Sequence, residues 1–291
     1  MKWPLPESKS VLVTGCSTGI GAATAMLLRE QGWTVYPTAR KPADLERLRS
    51  EGFDPIALDI ADSNSVLAAA DEALEKMGGT PGALVNNAGY GQPGALEDLS
   101  RDAMRAQFEV NVFGMQELTN RFIPRFREQG RGRIVNVSSV VGRVSLPFLG
   151  IYSASKFAME AMSDALRVEL CDSGIAVSLV EPGPITTHFR QTSVAQADHY
   201  LAHGDSAFRT LYQREVERRR QQPVDKKKPF SKPPAAVAEK ILHALESSRP
   251  KRRYCVTVPA YAGAVFRRIL PDAWVDATLS RSLRKKLSQN G

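Results

Sequence analysis

The chain has only three cysteines, Cys16, Cys171 and Cys255, in 291 residues. No two stand at a metal-binding or redox spacing, so neither a disulfide framework nor a thiolate metal centre is expected. Histidine is almost as scarce. Of His188, His199, His203 and His243, only His199 and His203 are spaced to share a helix face, and they lack the Glu that follows the first His of a zincin-type site. No metal is expected. Apolar runs of about 18 residues, long enough to cross a bilayer, are missing too. The first nine residues carry Pro4, Pro6 and Glu7 instead of the apolar stretch of a secretory signal. The expected location is cytoplasmic, or at most peripheral to a membrane.

Hydrophobic residues make up 43% of the chain, enough to bury a full core, and 291 residues fit one α/β domain. The net charge of +8 is unevenly spread. Residues 1–208 carry 19 basic and 24 acidic side chains, whereas residues 209–232 carry nine and three, and residues 249–291 ten and two. The basic character therefore belongs to the C-terminal third. No nucleic-acid motif accompanies it, so a nucleic-acid partner is not expected. Solvated helix faces explain such charge, and contact with an acidic membrane surface is the alternative.

Apolar strand-like runs alternate with helical stretches over the first 190 residues. Strands are expected at 11–14, 34–38, 55–58, 83–85, 133–137 and 175–180. Helices are expected at 22–31, 44–51, 63–77, 101–129 and 152–171. This order calls for an α/β fold of the Rossmann type, a doubly wound parallel sheet with helices on both faces in a single domain over 1–291. Ligands then sit beyond the carboxyl ends of the strands. Past Pro184 the pattern loosens. Residues 188–232 are polar and too long for an ordinary connection, with a helix expected within them at 207–222. A helix at 235–246, a strand at 254–258 and a basic helical segment at 262–287, interrupted by Pro271, follow.

Gly15, Gly19 and Gly21 lie directly after the first strand, in Thr14-Gly15-Cys16-Ser17-Thr18-Gly19-Ile20-Gly21. Glycines let the backbone turn sharply and approach a pyrophosphate, which a helix N-terminus attracts. A tight turn alone would also use glycine, but the strand–turn–helix context favours a dinucleotide. The second strand runs into Thr38-Ala39-Arg40-Lys41, with no carboxylate to bind ribose hydroxyls. A guanidinium there can clamp a 2′-phosphate, so NADP(H) is expected over NAD(H). Asp59, at the end of the third strand, reads either as an acceptor for the adenine amino group or as a helix cap.

Tyr152 and Lys156 are four apart at the start of an expected helix, on one face. An ammonium beside a phenol favours phenolate and lowers a pKa that is otherwise near 10. Tyr152 can then exchange a proton with a carbonyl or alcohol oxygen, which typically supplies about 10²–10⁴-fold in rate. Ser138 and Ser139 end the fifth strand, where a hydroxyl can hold that oxygen. Asn111 falls inside an expected helix despite poor propensity, and is read as ordering a water that relays protons to Lys156.

Together with Asn86-Asn87-Ala88-Gly89 and Pro182-Gly183, these motifs resemble the short-chain dehydrogenase/reductase family over about residues 9–190. The resemblance implies a catalytic tetrad of Asn111, Ser139, Tyr152 and Lys156, with Ser139 preferred to Ser138 by its spacing to Tyr152. It implies a cofactor site of Gly15, Ser17, Thr18, Gly19, Ile20, Gly21, Arg40, Asp59, Ile60, Asn87, Ala88, Gly89, Tyr152, Lys156, Pro182, Gly183, Ile185 and Thr187. Many NADP-using members carry a basic residue where this chain has Thr18, which leaves the discrimination to Arg40. The glycine motif, Arg40 and Arg253-Tyr254 are similar to the estradiol and retinol dehydrogenase branch. The implied reaction interconverts a carbonyl and an alcohol by hydride transfer, on an apolar ketone, aldehyde or alcohol of steroid- or retinoid-like shape. Residues 188–232 would cover that substrate, and a homodimer or homotetramer is implied. The alternatives are a dinucleotide-binding sensor or scaffold without turnover, and an NAD-preferring alcohol dehydrogenase.

Overall fold

The computed structural model describes residues 2–187, 189–201, 206–221 and 229–288. Strands β1 (Ser10–Val13), β2 (Thr34–Ala39), β3 (Ile56–Ala57), β4 (Ala83–Asn86), β5 (Gly132–Val137), β6 (Ile175–Glu181) and β7 (Arg253–Cys255) form one parallel sheet in the order β3-β2-β1-β4-β5-β6-β7. Side chains alternate across it, as a parallel sheet covered on both faces requires. Val11, Val13, Val35, Val135, Val137 and Val180 point to one face, packed under α1 (Gly19–Glu30), α2 (Pro42–Ser50) and α9 (Ala235–Glu246). Leu12, Leu84, Ile134 and Val177 point to the other, under α3 (Ser63–Lys76), α5 (Gly114–Gln129) and α6 (Gly150–Glu169).

The strand order reverses at β1, which pairs with both β2 and β4. A crevice opens at such a switch point beyond the strand ends. The glycine turn follows β1, Asn87 follows β4 and Ser139 follows β5, so the topology gathers the candidate residues at one edge.

Three departures from the expected elements matter. The helix expected over 101–129 is divided into α4 (Arg101–Phe108), one π turn (Glu109–Phe113) and α5. A Cβ at Gly114 would lie 1.7 Å from the Ile60 carbonyl oxygen, so the chain can pass there only as glycine. The π turn, a feature common at functional sites, holds Asn111. Next, α7 (Phe189–Leu201) stands where no helix was expected, joining α8 (Arg209–Gln221), which answers the helix expected at 207–222; Gln222 lies outside the described residues, as does His203. Only Val194, Ala197 and Leu201 give α7 an apolar stripe, too sparse to stand out among its polar residues. Finally, β7 ends at Cys255 and α10 (Val258–Ile269) starts at Val258, shortening the strand expected at 254–258. Pro259 suits the first turn of a helix because its missing N–H is not needed there. Pro271 then separates α10 from α11 (Asp272–Ser288).

Candidate active site

The turn after β1 is held from both sides. Gly15 N–H donates to Thr38 Oγ1 at 3.3 Å and Cys16 N–H to the Thr38 carbonyl at 2.8 Å. On the β4 side, the Asn87 side-chain amide donates to the carbonyls of Thr14 (2.8 Å) and Gly15 (3.2 Å). Gly15 and Gly19 adopt positive φ (72° and 63°), a conformation that only glycine takes without strain. A Cβ at Gly21 would meet the Gly15 carbonyl oxygen at 2.2 Å and Asn87 Nδ2 at 2.6 Å. α1 begins with no side-chain cap at Thr18 and no acidic residue in its first turn. Its leading N–H groups therefore point at whatever anion the turn receives.

Arg40 and Asp59 approach each other across the ends of β2 and β3, Nη1 to Oδ2 at 3.6 Å, and the Arg40 side chain is largely exposed. Such an open pair is weak and leaves the guanidinium able to take another anion. Asp59 Oδ1 accepts from Ala61 N–H, and Asp62, not Asp59, caps α3 by accepting from Ser65 N–H. That removes the cap alternative for Asp59. Ile60 is buried in the core beside Ala88. Arg47 of α2 was not singled out from sequence. Its Nη2 donates to the Ser17 carbonyl at 2.8 Å, tying α2 to the glycine turn. Nothing local in the sequence signals this contact, because turn and helix are 30 residues apart.

The opposite wall is the segment after β6. Thr187 Cγ2 lies 3.2 Å from where a Cβ at Gly19 would be, so residues 182–187 face the glycine turn. Ile185 packs against the core, and Gly183 passes beneath the Thr257 hydroxyl, which would stand 2.1 Å from a Cβ. The Pro182 carbonyl accepts from Val140 N–H at 2.8 Å. Arg143 donates to Glu181 at 2.9 Å and fixes the turn that carries Ser139.

Tyr152, Lys156, Asn111 and Ser139 converge in the interior. The Ser139 hydroxyl is near enough to the Tyr152 phenol to favour its ionised form and also bonds the Pro182 carbonyl at 3.5 Å, whereas Ser138 Oγ is buried without a protein partner. Lys156 Nζ donates to the Val137 carbonyl at 2.8 Å. Asn111 bonds the Tyr90 backbone in both directions, at 3.2 and 3.0 Å, and donates to Ser155 Oγ at 3.0 Å. It has no direct bond to Lys156. The two flank Gly89, where a Cβ would lie 3.0 Å from Asn111 Oδ1 and 3.8 Å from Lys156 Nζ.

The electrostatics differ from the sequence expectation. Burial pushes the Tyr152 phenol up to about 12, only partly offset by the Ser139 hydroxyl, and pulls the Lys156 ammonium down to about 7. Burial sets the direction for Tyr152, and the Lys156 ammonium, expected from its spacing to acidify the phenol, donates to the Val137 carbonyl. At neutral pH the phenol therefore keeps its proton, the form that donates to a carbonyl oxygen. Phe189, also not foreseen, stacks near Tyr152 with ring centroids 5.6 Å apart.

A family model of the short chain dehydrogenases matches residues 9–198. The chain belongs to the short-chain dehydrogenase family. It is an oxidoreductase of that family, with the parallel sheet flanked by helices that the family shares. Among curated relatives, an uncharacterized oxidoreductase of Escherichia coli, YbbO, is 42% identical over 93% of this chain and 94% of its own length. Human 17-beta-hydroxysteroid dehydrogenase type 1 is 34% identical over 85% of this chain and 77% of its own. Among solved structures, a short chain dehydrogenase from Burkholderia cenocepacia in complex with NADP superposes with a TM-score of 0.73 at 26% identity, covering 95% of this chain and 99% of that one. One from Burkholderia phymatum in complex with NAD gives 0.74 at 26% identity, covering 91% and 93%. Among the described residues no helix is long and apolar enough to cross a membrane.

Proposed function

We propose that this dehydrogenase interconverts a carbonyl and an alcohol with NADP(H), with Tyr152 as the proton donor and acceptor. The observation that carries the reading is the buried Tyr152 phenol, with the buried Ser139 hydroxyl beside it and the buried Lys156 one helical turn away. The cradle fits a dinucleotide. Gly15, Gly19 and Gly21 admit backbone approach, the uncapped start of α1 accepts phosphate, and Ser17, Thr18 and Ile20 complete that turn. Asn87, Ala88, Gly89, Pro182, Gly183, Ile185 and Thr187 flank it, and Asp59 and Ile60 would lie toward the adenine. The bound nicotinamide supplies or takes up the hydride.

In reduction, Tyr152 Oη gives its proton to the carbonyl oxygen as the carbon accepts hydride; the C=O π bond breaks while C–H and O–H bonds form. Ser139 holds the same oxygen. Lys156, with a pKa near neutrality, is suited to return a proton toward Tyr152, and Asn111 holds the backbone beside that route. Arg40 and the lack of an acid at the end of β2 support NADP(H) over NAD(H). Neighbours with either cofactor are known, so the preference rests on Arg40. The apolar ring of Phe189 beside Tyr152 and the hydroxysteroid relative support an apolar substrate, covered by the segment from 188 to 232. Exposed Phe113 in the π turn and exposed Phe157 and Val168 on α6 support a homo-oligomer.

The test is Tyr152→Phe. NADPH titration of the variant should match wild type while turnover of a carbonyl panel falls by at least about a hundredfold, in line with the loss of a positioned acid. Turnover within about tenfold of wild type would remove Tyr152 from the chemistry.

A further inference from the structure

A cavity of about 990 Å³ lies beside the site, enclosed by Pro93–Gly94, the 146–149 segment before α6, and helices α7, α8 and α11. That is the upper end of the range for small-molecule sites. Its wall is chiefly apolar, with Phe148, Val194, Leu201, Leu211, Leu279 and Leu283 lining it. Leu279 and Leu283 are four apart on α11, so one face of that helix closes the outer side. The charged side chains that also line it, Asp198, Arg209, Glu215, Glu217 and Arg220, come from α7 and α8, and Arg220 pairs with Asp198 at 2.7 Å.

Tyr152 does not line this cavity. Phe189 does not line it either, but it connects the two along α7, standing one helical turn before Ser193 and about two turns before Ala197, both cavity residues. Its ring is beside Tyr152, and a Cβ at Gly91 would touch both rings, at 3.0 and 3.2 Å. Phe189 is 38% exposed, so one side of its ring is open to solvent while the other rests on Tyr152 and Gly91.

We propose that the substrate is a ketone or alcohol carrying a long apolar tail, that the tail occupies this cavity against α11, and that Phe189 is the movable partition between the tail and Tyr152. This rests on the carbonyl–alcohol reading for the position of the reacting oxygen. A compact ketone leaves the cavity wet and unused. A long one transfers its methylenes from water onto the leucines of α7, α8 and α11 and gains on the order of threefold to fourfold in affinity for each methylene buried.

The experiment uses the full-length protein with NADPH and the series butanone, octan-2-one and dodecan-2-one. In wild type, kcat/KM should climb steeply along the series. Leu283→Trp, which fills the cavity from α11, should reduce the ratio of dodecan-2-one to butanone kcat/KM at least about tenfold. Phe189→Ala should raise KM-independent access, seen as a larger relative rate with a ring ketone such as 2-decalone. In parallel, calorimetric titration of the NADP⁺-loaded protein with dodecan-1-ol reads the cavity without any turnover. Binding that Leu283→Trp weakens supports the proposal even if no ketone is reduced, and in that case the reaction assignment alone falls. Turnover of butanone with no rise along the series, or dodecan-1-ol binding unchanged by Leu283→Trp, overturns the tail cavity and leaves the reaction assignment standing.

Discussion

Lys156 links the chemistry to a cost in stability that can be measured. Its ammonium is buried without a carboxylate, against the Val137 carbonyl and Met159 Sδ, and burial lowers its pKa from 10.5 to about 7. A base whose pKa is depressed on folding binds fewer protons folded than unfolded at pH values between the two pKa values. Stability contributed at this position therefore rises with pH across that window and is lowest below about pH 7. Linkage puts the penalty at about 4 kcal/mol at pH 7 and about 2 kcal/mol at pH 9. Lys156→Met keeps an unbranched side chain and removes the charge, but leaves Val137 without its donor, which costs about 1–3 kcal/mol. The variant should thus be inactive yet more stable than wild type by about 2 kcal/mol at pH 7, an advantage that vanishes by pH 9. The assay is urea unfolding of both proteins without cofactor at the two pH values. Taking the difference cancels the other titrating groups, including Cys16, whose thiol burial pushes up to about 12. A difference that stays constant between pH 7 and pH 9 would refute the claim that the folded protein holds this ammonium at a loss.

Three further outcomes are expected. Gly21→Ala drives a methyl into the Gly15 carbonyl oxygen, and the overpacking, about 1–3 kcal/mol, should weaken NADPH binding roughly tenfold or more by fluorescence titration; affinity within twofold would mean the turn does not hold the phosphates. Arg40→Asp replaces the cation paired with Asp59 at the end of β2 with a second acid, and should lower the NADPH-to-NADH ratio of kcat/KM by at least about tenfold, the worth of a charge-assisted hydrogen bond. An unchanged ratio would show that Arg40 does not read the 2′-phosphate. Tyr261, Ile269 and Trp274 are exposed on α10 and α11 near the exposed Arg281 and Arg284, so co-sedimentation with phosphatidylserine vesicles should be lost on deleting residues 262–291; binding that survives the deletion would dismiss a membrane role for this end.

The half of the molecule that grips a dinucleotide was legible because its determinants are local. Three glycines, a strand and a helix start fall within about a dozen residues, and the positive φ of Gly15 and Gly19 and the clash of a Gly21 side chain with the Gly15 carbonyl belong to the turn itself. Tyr152 and Lys156 are likewise one helical turn apart. What escaped depends on contacts between distant segments. Arg47 reaches the glycine turn from another helix, and Asn111 meets the Tyr90 backbone from a π turn that ends where Gly114 passes the Ile60 carbonyl.

The direction in which burial moves Tyr152 and Lys156 is not legible in the sequence for a related reason. Sequence spacing reports that two groups are near each other, but it says nothing about how completely water is excluded from both, and here desolvation decides the sign for each. The consequence bears on the direction of the chemistry. A phenol that keeps its proton at neutral pH is ready to donate to a carbonyl, whereas the reverse reaction first needs that proton removed. Transfer of that proton to Lys156 runs uphill by about five pH units (12 − 7), whereas return of a proton from the Lys156 ammonium to a Tyr152 phenolate runs downhill by the same amount. The same burial that destabilises the fold at this position thus readies the pair to donate, while an exposed Tyr–Lys pair, with both pKa values near 10, would exchange the proton evenly in either direction.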